Sequence, residues 1–282
     1  MYGTTALLAA TLIATRGVAR RSRRELRFGS PEFSAASELA RRLPATRRGT
    51  ALIRSVVRDP TLLRAVIAVV RLPTLHLGLR ADQVGAWSRG HGGPLGRRWA
   101  RAVLELPTVE ASYLAGRHRQ ALRTNLRHAH KQGLTCDRVD TYDTWHEAAQ
   151  TVIESRSDRE AAVRDIDLPW HGQAVAYYLA HDADKTPPAF ARVALFGRFG
   201  VLSCMLSHHG RPNASWARYQ LHTFLAMDLG ASGVQYLLVG SALRESVGNE
   251  YFQHLLGYRA RNLRVEVVDP APSERRDHDG TP

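Results

Sequence analysis

Asn213 to Ser241 reads NASWARYQLHTFLAMDLGASGVQYLLVGS, and the fold is decided there. Ser215 to Leu229 has helical spacing, with Ala217, Leu221, Phe224 and Leu225 on one face and Gly230 at the end. Val234–Val239 (VQYLLV) follows as a strand apolar enough to be buried on both faces. Upstream, Phe190–Phe196 (FARVALF) and Val201–Ser207 (VLSCMLS) flank Gly197–Gly200, which predicts a hairpin. The order is therefore hairpin, helix, strand. The first amides of such a helix lack internal acceptors, and with the helix dipole they suit a pyrophosphate. Asn213 or Ser215 is the expected cap, and Arg218 is placed to add a charge-assisted bond. An ordinary strand–helix–strand unit would read the same way.

Working backwards, Arg101–Leu106 (RAVLEL) alternates like a strand and stops at Pro107. One long helix is expected over Glu110–Gln132, ending at Gly133. Arg119, Arg123, Arg127 and Lys131 recur along it every four residues. Like charges at that spacing repel by about 0.2–0.5 kcal/mol per pair, which suggests an anionic neighbour: acidic side chains or a bound polyanion. A solvated basic face is the plainer alternative. Thr135–Val139 is a candidate short strand, and Thr144–Ser155 and His171–His181 read as helices. Working forwards, Gly248–Leu256 is a short helix closed by Gly257, and Tyr258–Val268 alternates as a final strand.

The remainder is less regular. Residues 1–80 read as a basic helical region whose best segment begins at Asp59–Pro60 and stops at Pro73. Residues 81–98, rich in glycine, read as a linker, 99–268 as the main domain and 269–282 as a disordered tail. Ala6–Ala14 is apolar, but its basic run Arg16–Arg24 comes after it, the reverse of a secretory signal. It is too short to span a bilayer, so packing is expected there, with a membrane-surface contact through residues 1–80 as the alternative.

The chain has 282 residues and a formal net charge of +13, carried almost wholly by arginine. Such a balance attracts phosphate-bearing cofactors, nucleic acid or acidic lipid. The two cysteines, Cys136 and Cys204, form no C-x-x-C pair, and a reducing, cytoplasmic setting is the expectation. There is no phosphate-binding G-x-x-x-x-G-K-[ST], no H-E-x-x-H and no G-x-S-x-G, and the histidines show no ligand spacing, so no metal is expected. The adjacent His208–His209 reads as a solvated turn.

Taken in order, Leu106–Pro107 with Arg123-Thr-Asn-Leu-Arg127-His-Ala129, the hairpin, Ala217-Arg-Tyr-x-Leu…Gly-Val-x-Tyr-Leu, and Asn249…Phe252-Gln-His-Leu-Leu-Gly257-Tyr258 resemble the GNAT superfamily of acyltransferases. They look closest to its FemAB-like, "acetyltransferase-6" branch. The resemblance spans residues 100–268 approximately. It implies an α/β fold with a mixed, partly splayed sheet. It also implies donor phosphates at Asn213, Ala214, Ser215, Trp216, Ala217 and Arg218, with Asn249 nearby, and acyl transfer to an amine on a small molecule or peptide. The donor would be acetyl-CoA or another acyl-CoA, or aminoacyl-tRNA in the FemAB-like branch, there acting on a cell-wall or lipid precursor; a non-catalytic, basic nucleic-acid- or membrane-binding protein on a degenerate form of the fold is the other alternative. Two departures stand out. The phosphate loop lacks the family's central glycine, and Gln253 occupies the usual position of a tyrosine acid, leaving Tyr251 and Tyr258 as substitutes. Glu105 and Glu245 are the candidate general bases.

Overall fold

The computed structural model describes residues 71–90, 100–166, 173–241 and 247–268. Outside them lie Ala6–Ala14, the helix expected after Pro60, Glu245 and the tail from 269. Among the described residues the fold is α/β: a mixed, partly splayed eight-stranded sheet with helices on both faces.

The strands are β1 (Thr74–Leu79), β2 (Ala100–Glu105), β3 (Thr135–Val139), β4 (Ala174–His181), β5 (Ala189–Phe196), β6 (Phe199–Ser207), β7 (Tyr236–Ser241) and β8 (Arg259–Val267). Their spatial order is β1-β8-β2-β7-β6-β5-β4-β3. The helices are α1 (Ala81–Gly90), α2 (Glu110–Tyr113), α3 (Gln120–Lys131), α4 (Tyr142–Glu154), α5 (Arg159–Ile166), α6 (Ala214–Ala231) and α7 (Val247–Leu256).

Side-chain alternation along the strands divides the interior. On one face, Leu104, Ala176, Tyr178, Ala191, Val193 and Leu237 pack against α3, α6 and α7. On the other, α4 and α5 cover one half through Trp145, Ile153 and Ile166, which pack with Phe190 of β5. There α1 covers the other half through Trp87, whose ring meets Phe196 edge-on. Neither cysteine is in a disulfide, and Cys136 is half-buried and Cys204 buried.

The structure differs from the sequence expectations in four places. Thr74–Leu79 is a strand inside the stretch expected to be helical, paired in parallel with β8. Leu77 and Leu79 lie in the core while His76 is exposed, a period of two rather than of a helix. Ala81–Gly90 is a helix where a linker was expected, held by buried Val84 and Trp87. Ala174–His181 is a central strand, not a helix. Its alanines suit a helix, but with both faces covered it shows no polar alternation, and pairing with β3 and β5 decides. The long helix of 110–132 is broken, since Gly116 sits at φ 89° and a 3-10 turn over Arg117–Arg119 intervenes before α3. Arg123 spans the break by donating to the carbonyls of Leu114 (2.5 Å) and Gly116 (2.9 Å).

Candidate functional site

β6 and β7 run parallel but pair only over Phe199–Val201 and Tyr236–Leu238. Beyond Val201, β6 stays with β5, while β7 continues with β2 as far as Ser241. The strands therefore part towards their C-terminal ends. In this gap the facing backbone of β6 has no strand partner among the described residues, and Leu202, Ser203, Met205, Leu206 and Ser207 are only half-buried. A bulge at Arg192/Val193 marks where β5 and β6 turn away. Buried Arg192 fixes it, donating to Ser203 Oγ (3.1 Å) and to the Ile166 carbonyl while lying over the Trp145 ring.

α6 begins at this open end, because β6 leads directly into it. The connecting loop is pinned from two sides. Arg156 donates to the Ser207 carbonyl (3.1 Å) and the His209 amide to Ser155 Oγ (2.9 Å). Arg211 is paired with Asp182 from the β4–β5 turn. At the helix start the Ala214 amide reaches the Arg211 carbonyl (3.2 Å) and the Ala217 amide the Asn213 carbonyl (2.9 Å), while the Ser215 and Trp216 amides find no acceptor among the described residues. Asn213 makes no side-chain cap, and its Oδ1 is buried without a partner.

The predicted donor residues divide by direction. Ala214 and Ala217 are core residues, and Trp216 turns to α3, where its ring stacks on His128 at 5.2 Å. Ser215 is exposed. Arg218 lies over the Phe252 ring of α7 at 4.5 Å, with its Nε buried and unpartnered. Burial lowers its pKa, and the other groups that act on it are Tyr219 and Arg156, neither of them a carboxylate. Among the described residues no carboxylate pairs with Arg218. Asn249 is exposed in the first turn of α7.

The catalytic candidates fare differently. Glu105 pairs with Tyr236, at the end of β7 where β6 and β7 are still joined. It therefore lies at the closed end of the sheet, about 27 Å of helix from the start of α6. The antiparallel course of β2 against β7 places it there, and it cannot serve chemistry in the gap. Tyr258 is buried, and its hydroxyl is hydrogen-bonded to His222 Nε2 at 2.8 Å. His222 is fully buried, and its pKa is pushed down to about 3 by desolvation and then by Arg119 and Arg218, so the imidazole is neutral. Gln253 is also buried, with its Oε1 unpartnered. Tyr251 is exposed on α7. Its neighbour Tyr219 is raised in pKa by burial and by Tyr251, against the pull of Arg218. Tyr219 and His222 were not singled out in the sequence; their position one and four residues after Arg218 was the available signal.

Of the four expected polyanion residues, Arg119 stands apart. It is buried, donates to the Leu255 carbonyl (2.6 Å) and lies 4.8 Å from the Tyr113 ring centre, while the Tyr113 hydroxyl donates to Leu256 O. Together these two residues close the C-terminus of α7, and burial keeps the Arg119 pKa below its usual value. Arg123, Arg127 and Lys131 instead line a cleft on the outer flank of α3. Among the described residues no cluster of three or more His, Cys, Asp or Glu side chains could hold a metal ion, and no helix is long and apolar enough to cross a membrane.

No family model and no curated protein matches the chain. Solved structures overlap it in part. One is L-PGS from Bacillus licheniformis, at 12% identity, TM-score 0.41 and 58% coverage of each chain. Another is the C-terminal DUF2156 domain of a putative lysylphosphatidylglycerol synthetase from Agrobacterium fabrum, at 15% identity, TM-score 0.43 and 58% of each chain. A third is a GCN5-related N-acetyltransferase from Kribbella flavida, at 16% identity and TM-score 0.33, covering 58% of this chain and 55% of the other. The chain thus spans little more than half the length of each, and overlap at this level carries nothing about ligands.

Proposed function

We propose that the chain is a GNAT-type N-acyltransferase whose donor lies in the gap between β6 and β7. The observation that supports this reading is the coincidence, at one end of the sheet and among the described residues, of parted strands, amides of Ser215 and Trp216 without an acceptor, and an Arg218 side chain without a carboxylate partner. In this reading the donor is an acyl-CoA, its phosphates resting on those amides and on Arg218. The free backbone N–H groups of β6 beyond Val201 stabilise the oxyanion that forms when an amine attacks the thioester carbonyl. The amine must first lose a proton, and Glu245, which follows β7 in sequence, is the base we assign. Collapse of the tetrahedral species breaks the C–S bond, and Tyr251 supplies the proton to the departing thiolate. Donor and acceptor held in one gap supply much of the remaining rate.

The +13 charge favours a second donor, aminoacyl-tRNA, which would use the same amides for its terminal phosphates. Titration of the full chain with CoA separates the two. Under the acyl-CoA reading CoA raises the melting temperature, and Arg218→Gln weakens its binding by about tenfold, the worth of one charge-assisted contact. A protein indifferent to CoA that binds tRNA with a steep salt dependence would replace the first donor by the second. Indifference to both would end the transferase reading.

A further inference from the structure

We infer that the cleft between α2 and α3 binds an anionic amphiphile: a phosphate or carboxylate head on an aliphatic chain. The cleft has a volume of about 520 Å³, within the range of sites that hold one small molecule. Its lining has two parts. Leu114 and Leu126 supply an aliphatic floor, and Leu126 is itself anchored in the core. Arg123, Arg127, His130 and Lys131 supply the wall. Glu110 is the one carboxylate in the lining.

The cations are placed for a ligand rather than for solvent. Arg123 is held by the carbonyls of Leu114 and Gly116, so its position is fixed before anything binds. Arg127 and Lys131 lie one and two turns further along, both exposed, and neither has an acidic partner among the described residues. Three cations spaced four apart repel one another on an isolated helix. Here they border a concavity, where one anionic head relieves the repulsion and the leucines take an apolar tail. A nucleic acid would look for Phe, Tyr or Trp platforms, and the lining has none of these. Glu110 disfavours a second negative group along the tail. A cleft of this volume takes a single small molecule, so the occupant is a free monomer rather than a bilayer surface.

This site is separate from the proposed donor site. The two use different flanks of α3: the cleft lies on one, and His128 stacks on Trp216 at the start of α6 on the other. Its test therefore does not depend on acyl transfer.

The test is calorimetric titration of the full chain with octyl phosphate below its critical micelle concentration. Binding is expected, with inorganic phosphate and octanol each at least about tenfold weaker, because each lacks one half of the match. The double variant Arg127→Ser/Lys131→Ser, both exposed positions, should fold normally and lose about tenfold in affinity. Leu114→Asn should weaken octyl phosphate but leave inorganic phosphate unchanged. Absence of binding, or binding unchanged in the double variant, overturns the inference. So does inorganic phosphate binding as tightly as octyl phosphate, which would make the floor irrelevant. Displacement of octyl phosphate by a short oligothymidylate would reassign the wall to nucleic acid. Phosphatidylglycerol vesicles that bind through Arg127 and Lys131, when monomeric octyl phosphate does not, would reassign it to a membrane surface.

Discussion

The two ends of α6 are built on opposite terms. At the C-terminus the carbonyls of Asp228, Leu229 and Gly230 accept the amides of Ser232, Val234 and Gly233, and Ser232 Oγ adds a second bond to Asp228 O. The Asp228 carboxylate takes the Tyr178 hydroxyl (2.7 Å) and Arg138 (3.3 Å). At the N-terminus, among the described residues, two amides have no acceptor, the cap residue makes no cap, and Arg218 has no carboxylate partner. One helix thus has one end whose polar groups are satisfied by the described residues and another whose polar groups, in the proposed reading, meet a ligand.

The closed end can be broken most severely at Gly230. A Cβ there would stand 2.2 Å from the carbonyl oxygen of Pro107, a backbone atom that cannot rotate away. Gly230→Ala gains roughly 1 kcal/mol of helix propensity but incurs an overpacking cost of about 3 kcal/mol. Urea denaturation should show a net loss of about 2 kcal/mol; a neutral result would mean that α6 and the β2–α2 turn do not meet as described.

A smaller effect is expected from Tyr178→Phe, which removes a donor from Asp228 but leaves Arg138 in place. The phenol is well above its ordinary pKa through burial and the Asp228 carboxylate, so it is a donor at any accessible pH. A hydrogen bond to a charged acceptor that is partly solvated should contribute about 1.5 kcal/mol, measurable by the same titration.

Between the two ends lies His222. Its folded pKa of about 3 is below its unfolded value of 6.5, so the unfolded chain binds the extra proton first. The stability tied to the neutral imidazole is complete above pH 6.5 and falls as pH drops from there towards 3. From pH 7 to 5.5 the loss from this residue should be about 1 kcal/mol. Urea titrations at the two pH values should differ by that much more in the native chain than in His222→Gln. Equal slopes would place the imidazole in contact with water.

The same contrast explains how much could be read in advance. The hairpin, α6 and β7 were legible because glycine punctuation and periodicity agree over Phe190–Val239, and Arg218 was legible as a cation in the opening turns of a helix after a strand. β1 was visible in Leu75-His-Leu77-Gly-Leu79 but was read through as helix; β4 has no visible alternation because both faces are covered. Glu105 was assigned to the wrong end, since which end of β2 meets the gap depends on its antiparallel register with β7. Arg119 shares its spacing with Arg127, yet one closes α7 and the other borders a cleft. That difference comes from the turn at Gly116 and from contacts with residues far along the chain.

The sharpest reading of the contrast is the smallest effect on stability. Arg218→Gln removes a cation whose Nε is buried, whose pKa burial has lowered, and which meets the Phe252 ring but no carboxylate among the described residues. An arginine in a structural ion pair would cost about 3–5 kcal/mol to delete, because its partner would be left buried and charged. Here no partner is left behind, so the desolvation penalty disappears with the side chain and only the contact with Phe252 is lost. The two nearly cancel, and urea denaturation should give a change within about 0.5 kcal/mol of zero. A loss of several kcal/mol would mean that Arg218 holds α6 to α7, as Arg119 holds α7 to α3. The two ends of α6 would then be alike, and the open one would have no claim to a ligand.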